Sequence, residues 1–91
     1  MIIRSQNKEV VTNFEQITNI ILSEEEENKI DLLAMFPGGI RDIRLGTYST
    51  EEKAIKVLDM IQIAYEEANS VCNMSGFVAN TVFQMPKDEE V

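Results

Sequence analysis

The stretch Ser49–Ser70, STEEKAIKVLDMIQIAYEEANS, decides the fold, because the rest of the chain must pack around it. Ser49 reads as an N-cap with Glu52 as its reciprocal partner, the capping-box pattern, and Thr50 is a second candidate cap. Glu51 and Glu52 fall in the first turn, where the helix dipole favours carboxylates. Ala54, Val57, Leu58, Ile61, Ala64, Tyr65 and Ala68 recur at helical spacing and share one face, which must be buried. Ile55, Met60 and Ile63 widen the apolar stripe beyond what a surface helix needs.

Upstream of this helix the chain reads as strands and turns. Met1–Ser5 opens with β-branched residues, Gln6, Asn7 and Lys8 signal a turn, and Glu9–Phe14 reads as a strand pairing back on the first. Ile17–Ser23 is a third strand. The four carboxylates Glu24–Glu27 read as the solvated tip of a hairpin, since they lack the alternating oxygen ligands and glycine of a calcium loop. Lys29–Phe36 is a fourth strand. Pro37-Gly38-Gly39 is the strongest turn signal in the chain, and Ile40–Tyr48 follows as a fifth strand. A phosphate-binding glycine loop would need a helix next, and a strand stands there instead.

Strict alternation along the fifth strand places Arg41, Ile43, Leu45 and Thr47 on one face and Ile40, Asp42, Arg44 and Gly46 on the other. Gly46 marks a bulge or a close backbone approach. Beyond the helix, Val71–Gly76 reads as a loop and Phe77–Met85 as a last strand that Pro86 stops. The acidic tail, residues 87–91, is expected to fray. The layout is α+β: one domain over residues 1–86, with a curled antiparallel sheet of five or six strands packed on one long helix. The last strand returns to an edge of the sheet or to the side of the first strand.

The third and fourth strands, with Ile20-Ile21-Leu22 and Leu32-Leu33-Ala34-Met35-Phe36, are apolar toward both faces of the sheet. One helix, about 10 Å wide, covers only part of one face. A second subunit would cover the rest, which points to a homo-oligomer, a dimer or higher. The alternative is a monomer whose sheet curls onto itself.

Ninety-one residues make one domain with a modest core. A net charge of −8 repels nucleic acid and anionic membranes, so no direct nucleic-acid or membrane contact is expected. The single cysteine, Cys72, forms no intrachain disulfide and fits a reducing, cytoplasmic setting. The opening MIIRSQNKEV lacks the long apolar core of a signal peptide. With no histidine, and no serine, cysteine or lysine in a nucleophile motif, the chain reads as non-enzymatic, without cofactor or metal. Cys72, placed after the helix, reads as a bystander.

Two binding readings follow. Arg4, Arg41 and Arg44 are the only arginines, and a strand-borne arginine can hold phosphate bidentately. Ser5, Gln6 and Tyr48 offer donors, and Tyr48 or Tyr65 offers a ring to stack on a base. The commoner alternative is that each arginine pairs with one of the sixteen acidic residues. The second reading is an acidic module that inhibits a host protein, imitation of nucleic-acid charge being one form of it, with Glu24–Glu27 and Asp88–Glu90 as contacts. The commoner meaning of such charge is solubility.

MIIRSQNK, VVTNFEQI, LGTYSTEEKAIKVLDMIQIAY and VFQMPK together resemble a group of small uncharacterised proteins of Firmicutes and their phages. Their pattern is an opening I-R-S-Q, a V/L-x-N-F segment, L-G-x-Y-x-T/S-E-E-x-A before a helix, and a strand ending near M-P. Met35–Asp42, with its Pro37-Gly38-Gly39 turn, departs from it. The resemblance directs attention to Arg4, Ser5, Gln6, Gly46 and Tyr48. It implies a phage or prophage counter-defence protein that acts by binding, either sequestering a nucleotide signal or blocking a host protein.

Overall fold

The two outermost strand segments of the chain, far apart in sequence, lie side by side. In the computed structural model, which describes residues 1–39, 42–75 and 82–91, β1 (Ile2–Arg4) pairs antiparallel with β2 (Val11–Asn13) as the hairpin signals predict. Within the connection, Lys8 takes a positive φ of 67° and Ser5 N–H bonds the Val10 carbonyl at 2.8 Å. A 3₁₀ turn follows at Phe14–Gln16, its Glu15 N–H accepted by the Asn13 side chain.

β3 (Asn19–Glu26), β4 (Lys29–Met35) and β5 (Asp42–Tyr48) form an antiparallel meander. The acidic run is thus not all tip: Glu24–Glu26 belong to β3, and Glu27-Asn28 make the turn, Asn28 at φ 63°. Gly38 and Gly39 also have positive φ, which explains why glycines follow Pro37.

The third element of the layout, α1, spans Glu51–Ser75. Its start is capped by Thr50, whose Oγ accepts the Lys53 N–H at 3.2 Å, rather than by Ser49. Its end lies beyond the expected Ser70, so the predicted loop up to Ser75 is helix and Cys72 falls within it. Ala54, Val57, Ile61 and Ala68 are buried as expected, with Leu58, Ala64 and Tyr65 half-buried.

β6 (Val82–Gln84) pairs parallel with β1, from Ile2↔Val82 to Arg4↔Gln84. The single five- or six-stranded antiparallel sheet is therefore a wrong expectation. Among the described residues there are two three-stranded sheets, β2-β1-β6 and β3-β4-β5, and one helix packed against them. The physical reason is that β1 is too short to extend the meander, and its antiparallel and parallel neighbours fill both its edges. The expected early part of the last strand lies outside the described residues.

The core joins both sheets to the helix: Ile3, Leu32, Leu45, Tyr48, Val57 and Met85 are all essentially inaccessible. Each such aliphatic side chain contributes about 1.5–3 kcal/mol of burial. On the far face of β3-β4-β5, Ile21 is 38% exposed and Leu33 and Met35 are half-buried, so among the described residues that apolar face is only partly covered.

The segment after Pro86 is tied down rather than frayed. Asp88–Glu90 forms a 3₁₀ turn in which Lys87 N–H bonds Glu90 Oε1 at 2.8 Å. Asp88 Oδ1 accepts the Ser49 N–H at 2.8 Å and its hydroxyl at 3.1 Å, and Lys53 Nζ reaches the other carboxylate oxygen at 3.4 Å. Ser49 thus binds this turn instead of capping the helix. No helix among the described residues is long and apolar enough to cross a membrane.

Candidate functional site

The register of β4 and β5 steps from Leu32↔Gly46 to Leu33↔Arg44, which makes Leu45 the extra residue of a β-bulge. The bulge overturns the expected alternation. Ile43, Gly46 and Tyr48 lie opposite the buried Ala34, Leu32 and Ile30, while Thr47 joins Arg44 and Asp31 on the outer face. Its hydroxyl donates to Asp31 Oδ1 at 2.6 Å.

The Leu45 carbonyl freed by the bulge accepts the Gln6 N–H at 2.7 Å. The Gln6 side chain then behaves like a strand residue laid along β5: Oε1 accepts the Thr47 N–H at 3.0 Å, and Nε2 donates to the Thr47 carbonyl at 3.1 Å. The same Nε2 donates to the Pro86 carbonyl at 3.1 Å. Tyr48 Oη donates to that carbonyl too, at 2.8 Å. Gly46 makes room for this convergence, since a Cβ there would stand 3.2 Å from both Gln6 Cβ and Tyr48 Oη.

These bonds decide what the predicted site residues do. Gln6 is a staple whose amide is fully engaged. Tyr48 is 1% exposed, so its ring is not presented to a base. Burial, with Asp88 and Glu90 adding, pushes its hydroxyl well above the usual tyrosine range. Ser5 is buried, its hydroxyl donating to Asn7 Oδ1 at 2.6 Å and accepting the Val10 N–H at 3.0 Å. Tyr65 lies elsewhere, its ring 4.7 Å from that of Phe14 in an apolar cleft of about 290 Å³ between α1 and the start of β3. Arg41 lies outside the described residues.

Arg4 and Arg44 are exposed, and among the described residues neither makes an ion pair; the three pairs present use the N-terminus, Lys29 and Lys53. Arg4 Nε donates to the Lys8 carbonyl at 3.3 Å. Arg44 stands between two shallow recesses. One, of about 250 Å³, is lined by Glu25, Glu26, Lys29 and Asp31. The other, of about 100 Å³, is lined by Gln6, Asn7, Gly46 and Thr47 and carries no carboxylate. An anion would meet Arg44 on this second side.

None of the three recesses joins an arginine to a tyrosine. The structure brings Arg44, Gln6 and Gly46 together and leaves Arg4 and Tyr65 apart from them. Asn7 and Thr47 line the recess and were not singled out in sequence; Thr47 becomes visible only once the bulge turns it outward. Among the described residues no group of histidine, cysteine, aspartate or glutamate could hold a metal ion. Compared with known proteins, the chain matches no family model, and no curated protein or solved structure matches it significantly.

Proposed function

We propose that the chain is a non-enzymatic binding protein that assembles with copies of itself and captures a small anionic, nucleotide-like ligand where subunits meet. The observation that carries this reading is Arg44, which makes no ion pair among the described residues. The chain has sixteen carboxylates and eight cationic side chains, so an arginine without an acidic partner runs against the expected pairing. Its planar donors suit the bidentate grip of a phosphate. The neutral recess beside it holds about 100 Å³, well below the ~300 Å³ at the small end of ligand pockets, so one chain would supply only part of a site.

Uncovered apolar side chains supply the driving force for assembly: Ile21 on the outer sheet face and Ile55, Met60 and Ile63 on α1. Sequestration of a nucleotide signal in a phage counter-defence role is the biological setting that the resemblance suggests. Native mass spectrometry of protein recovered from infected host cells tests both parts together. The expected result is an oligomer carrying an extra nucleotide-sized mass, which Arg44→Ala loses while keeping its oligomeric state. A bare monomer counts against assembly and capture alike.

A second reading, an acidic module that blocks a host protein, is favoured by the exposed carboxylates of Glu24–Glu27. Asp88 and Glu90 no longer serve it, because both are engaged within the fold. A bare oligomer whose capture of a partner weakens steeply with salt would favour this second reading.

A further inference from the structure

The outer strands of the β3-β4-β5 sheet end differently. The β5 edge is occupied by the backbone and side chain of Gln6. Along the outer edge of β3, among the described residues, no strand or side chain bonds the backbone from Ile20 to Glu26. An open edge seven residues long is a template for another strand.

Two features flank that edge. Beside its first half lies the apolar cleft, where Phe14 and Ile20 face Leu58, Ile61 and Tyr65 of α1. A strand added to β3 would send alternate side chains to the side on which Ile20 lies, and so into this cleft. Beside its second half stand Glu24 and Glu25, both exposed and, among the described residues, without a cationic partner.

We propose that β3 receives an extended segment of another protein by strand addition, the segment carrying alternate apolar residues at one end and lysine or arginine at the other. Main-chain bonds to β3 would hold it, the cleft would select its apolar side chains, and the carboxylates would fix its direction. Charge argues against a second copy as the occupant. Two β3 strands laid antiparallel over their full length would bring Glu25 of one beside Ile20 of the other, setting a carboxylate at the apolar cleft. Both chains also carry a net charge of −8. This inference uses a different surface from the Arg44 recess and stands or falls apart from it.

The test uses the full chain and an array of synthetic peptides about ten residues long, enough to span a strand. Each alternates valine or leucine with threonine and ends in two lysines or two glutamates, at either terminus. Lysine-ended peptides should bind at least about tenfold more tightly than their glutamate-ended counterparts, as charge complementarity requires. N-methylation of alternate peptide amides should abolish binding, and the bound peptide should slow amide exchange along β3. Gln62→Arg, an exposed change at the rim of the cleft, should weaken binding about tenfold by opposing the incoming strand. Glu24→Gln/Glu25→Gln should reduce the salt dependence.

The proposal is overturned if no peptide in the array binds more tightly than about 1 mM. It is equally overturned if N-methylated peptides bind as well as their parents, which would leave a charge contact without strand pairing. Protection of the β3 edge that grows with protein concentration and excludes peptide would assign the edge to a second copy, and would also overturn it. None of these outcomes changes the mass measurement on which the Arg44 reading depends.

Discussion

Among the described residues the β5 edge of the meander is closed and the β3 edge is open, although both belong to one sheet. Closure at β5 comes from one residue: Gln6 supplies its main-chain N–H to the bulged Leu45 and its side-chain amide to both polar groups of Thr47. A glutamine side chain carries a donor and an acceptor in the arrangement of a peptide group, so it can end a sheet without continuing it. At β3 nothing comparable is present among the described residues, and the strand's acidic end, Glu24–Glu26, is what keeps that edge from indiscriminate pairing. Hydrogen bonds from a distant residue of the same chain thus finish one edge, while among the described residues charge guards the other.

The largest way to break this contrast is Gln6→Ala. It strands the Thr47 N–H and carbonyl and one bond to Pro86, and each buried group left unsatisfied costs about 1–3 kcal/mol. Urea unfolding should show a loss of about 2–4 kcal/mol relative to the parent. A stability within error of the parent would mean that water replaces the staple and that the β5 edge is as open as β3.

Next in size is Tyr48→Phe, which removes only the bond to the Pro86 carbonyl and should cost about 1 kcal/mol. It also has a pH signature. The Tyr48 hydroxyl is raised above its ordinary value of 10.0, so its contribution is full below that pH and is lost as pH rises toward the folded-state value. The parent should therefore lose stability on raising the pH above 10, and Tyr48→Phe should lose less. Parallel alkaline profiles for the two proteins would show that the hydroxyl is freely solvated.

Hydrogen exchange sharpens the comparison directly. The Thr47 amide, held by Gln6, should exchange at least about tenfold more slowly than the outward-facing amides of β3. Equal protection would place a partner on β3. The smallest effect is expected at Asp88, whose carboxyl is held below its ordinary value, first by the Ser49 N–H, then by the Ser49 hydroxyl and Lys53. Its contribution is present above the ordinary value of 3.8 and fades as pH falls below it. Asp88→Asn should flatten the acid end of the stability profile measured by thermal melting, and an unchanged acid limb would count against the docked turn.

Local signals made much of this architecture legible. The first hairpin, the β3–β4–β5 meander and α1 rest on turn residues and on helical periodicity, and those act over a few positions. The last strand's place beside β1 was one of two placements open in the sequence, but its parallel direction was not legible, because no local residue announces a neighbour some eighty positions away. The extra turns of α1 past Ser70 were hidden by Asn69 and Asn73, which favour loops in isolation and yield to the longer helix.

The candidate site was legible in part. Arg44, Gln6 and Gly46 were singled out and stand together. Their roles were not, since a one-residue bulge reverses which side chains face outward and makes Gln6 a staple instead of a ligand. Tyr48 looks like a stacking ring in sequence because burial is set by the packing of Met85, Pro86 and the turn after them. An arginine's lack of an acidic partner is likewise a fact of three dimensions.

The β1–β6 pairing also sets a timetable. As a ribosome releases the chain from its N-terminal side, the meander and helix can form early, but β1 has only β2 beside it until Val82–Gln84 emerges. The Gln6 staple to Pro86 closes only after that, across 80 residues of sequence. Until then the nascent protein has an unfinished seam at β1, and polypeptides cut short inside or before β6 would leave synthesis with that seam open.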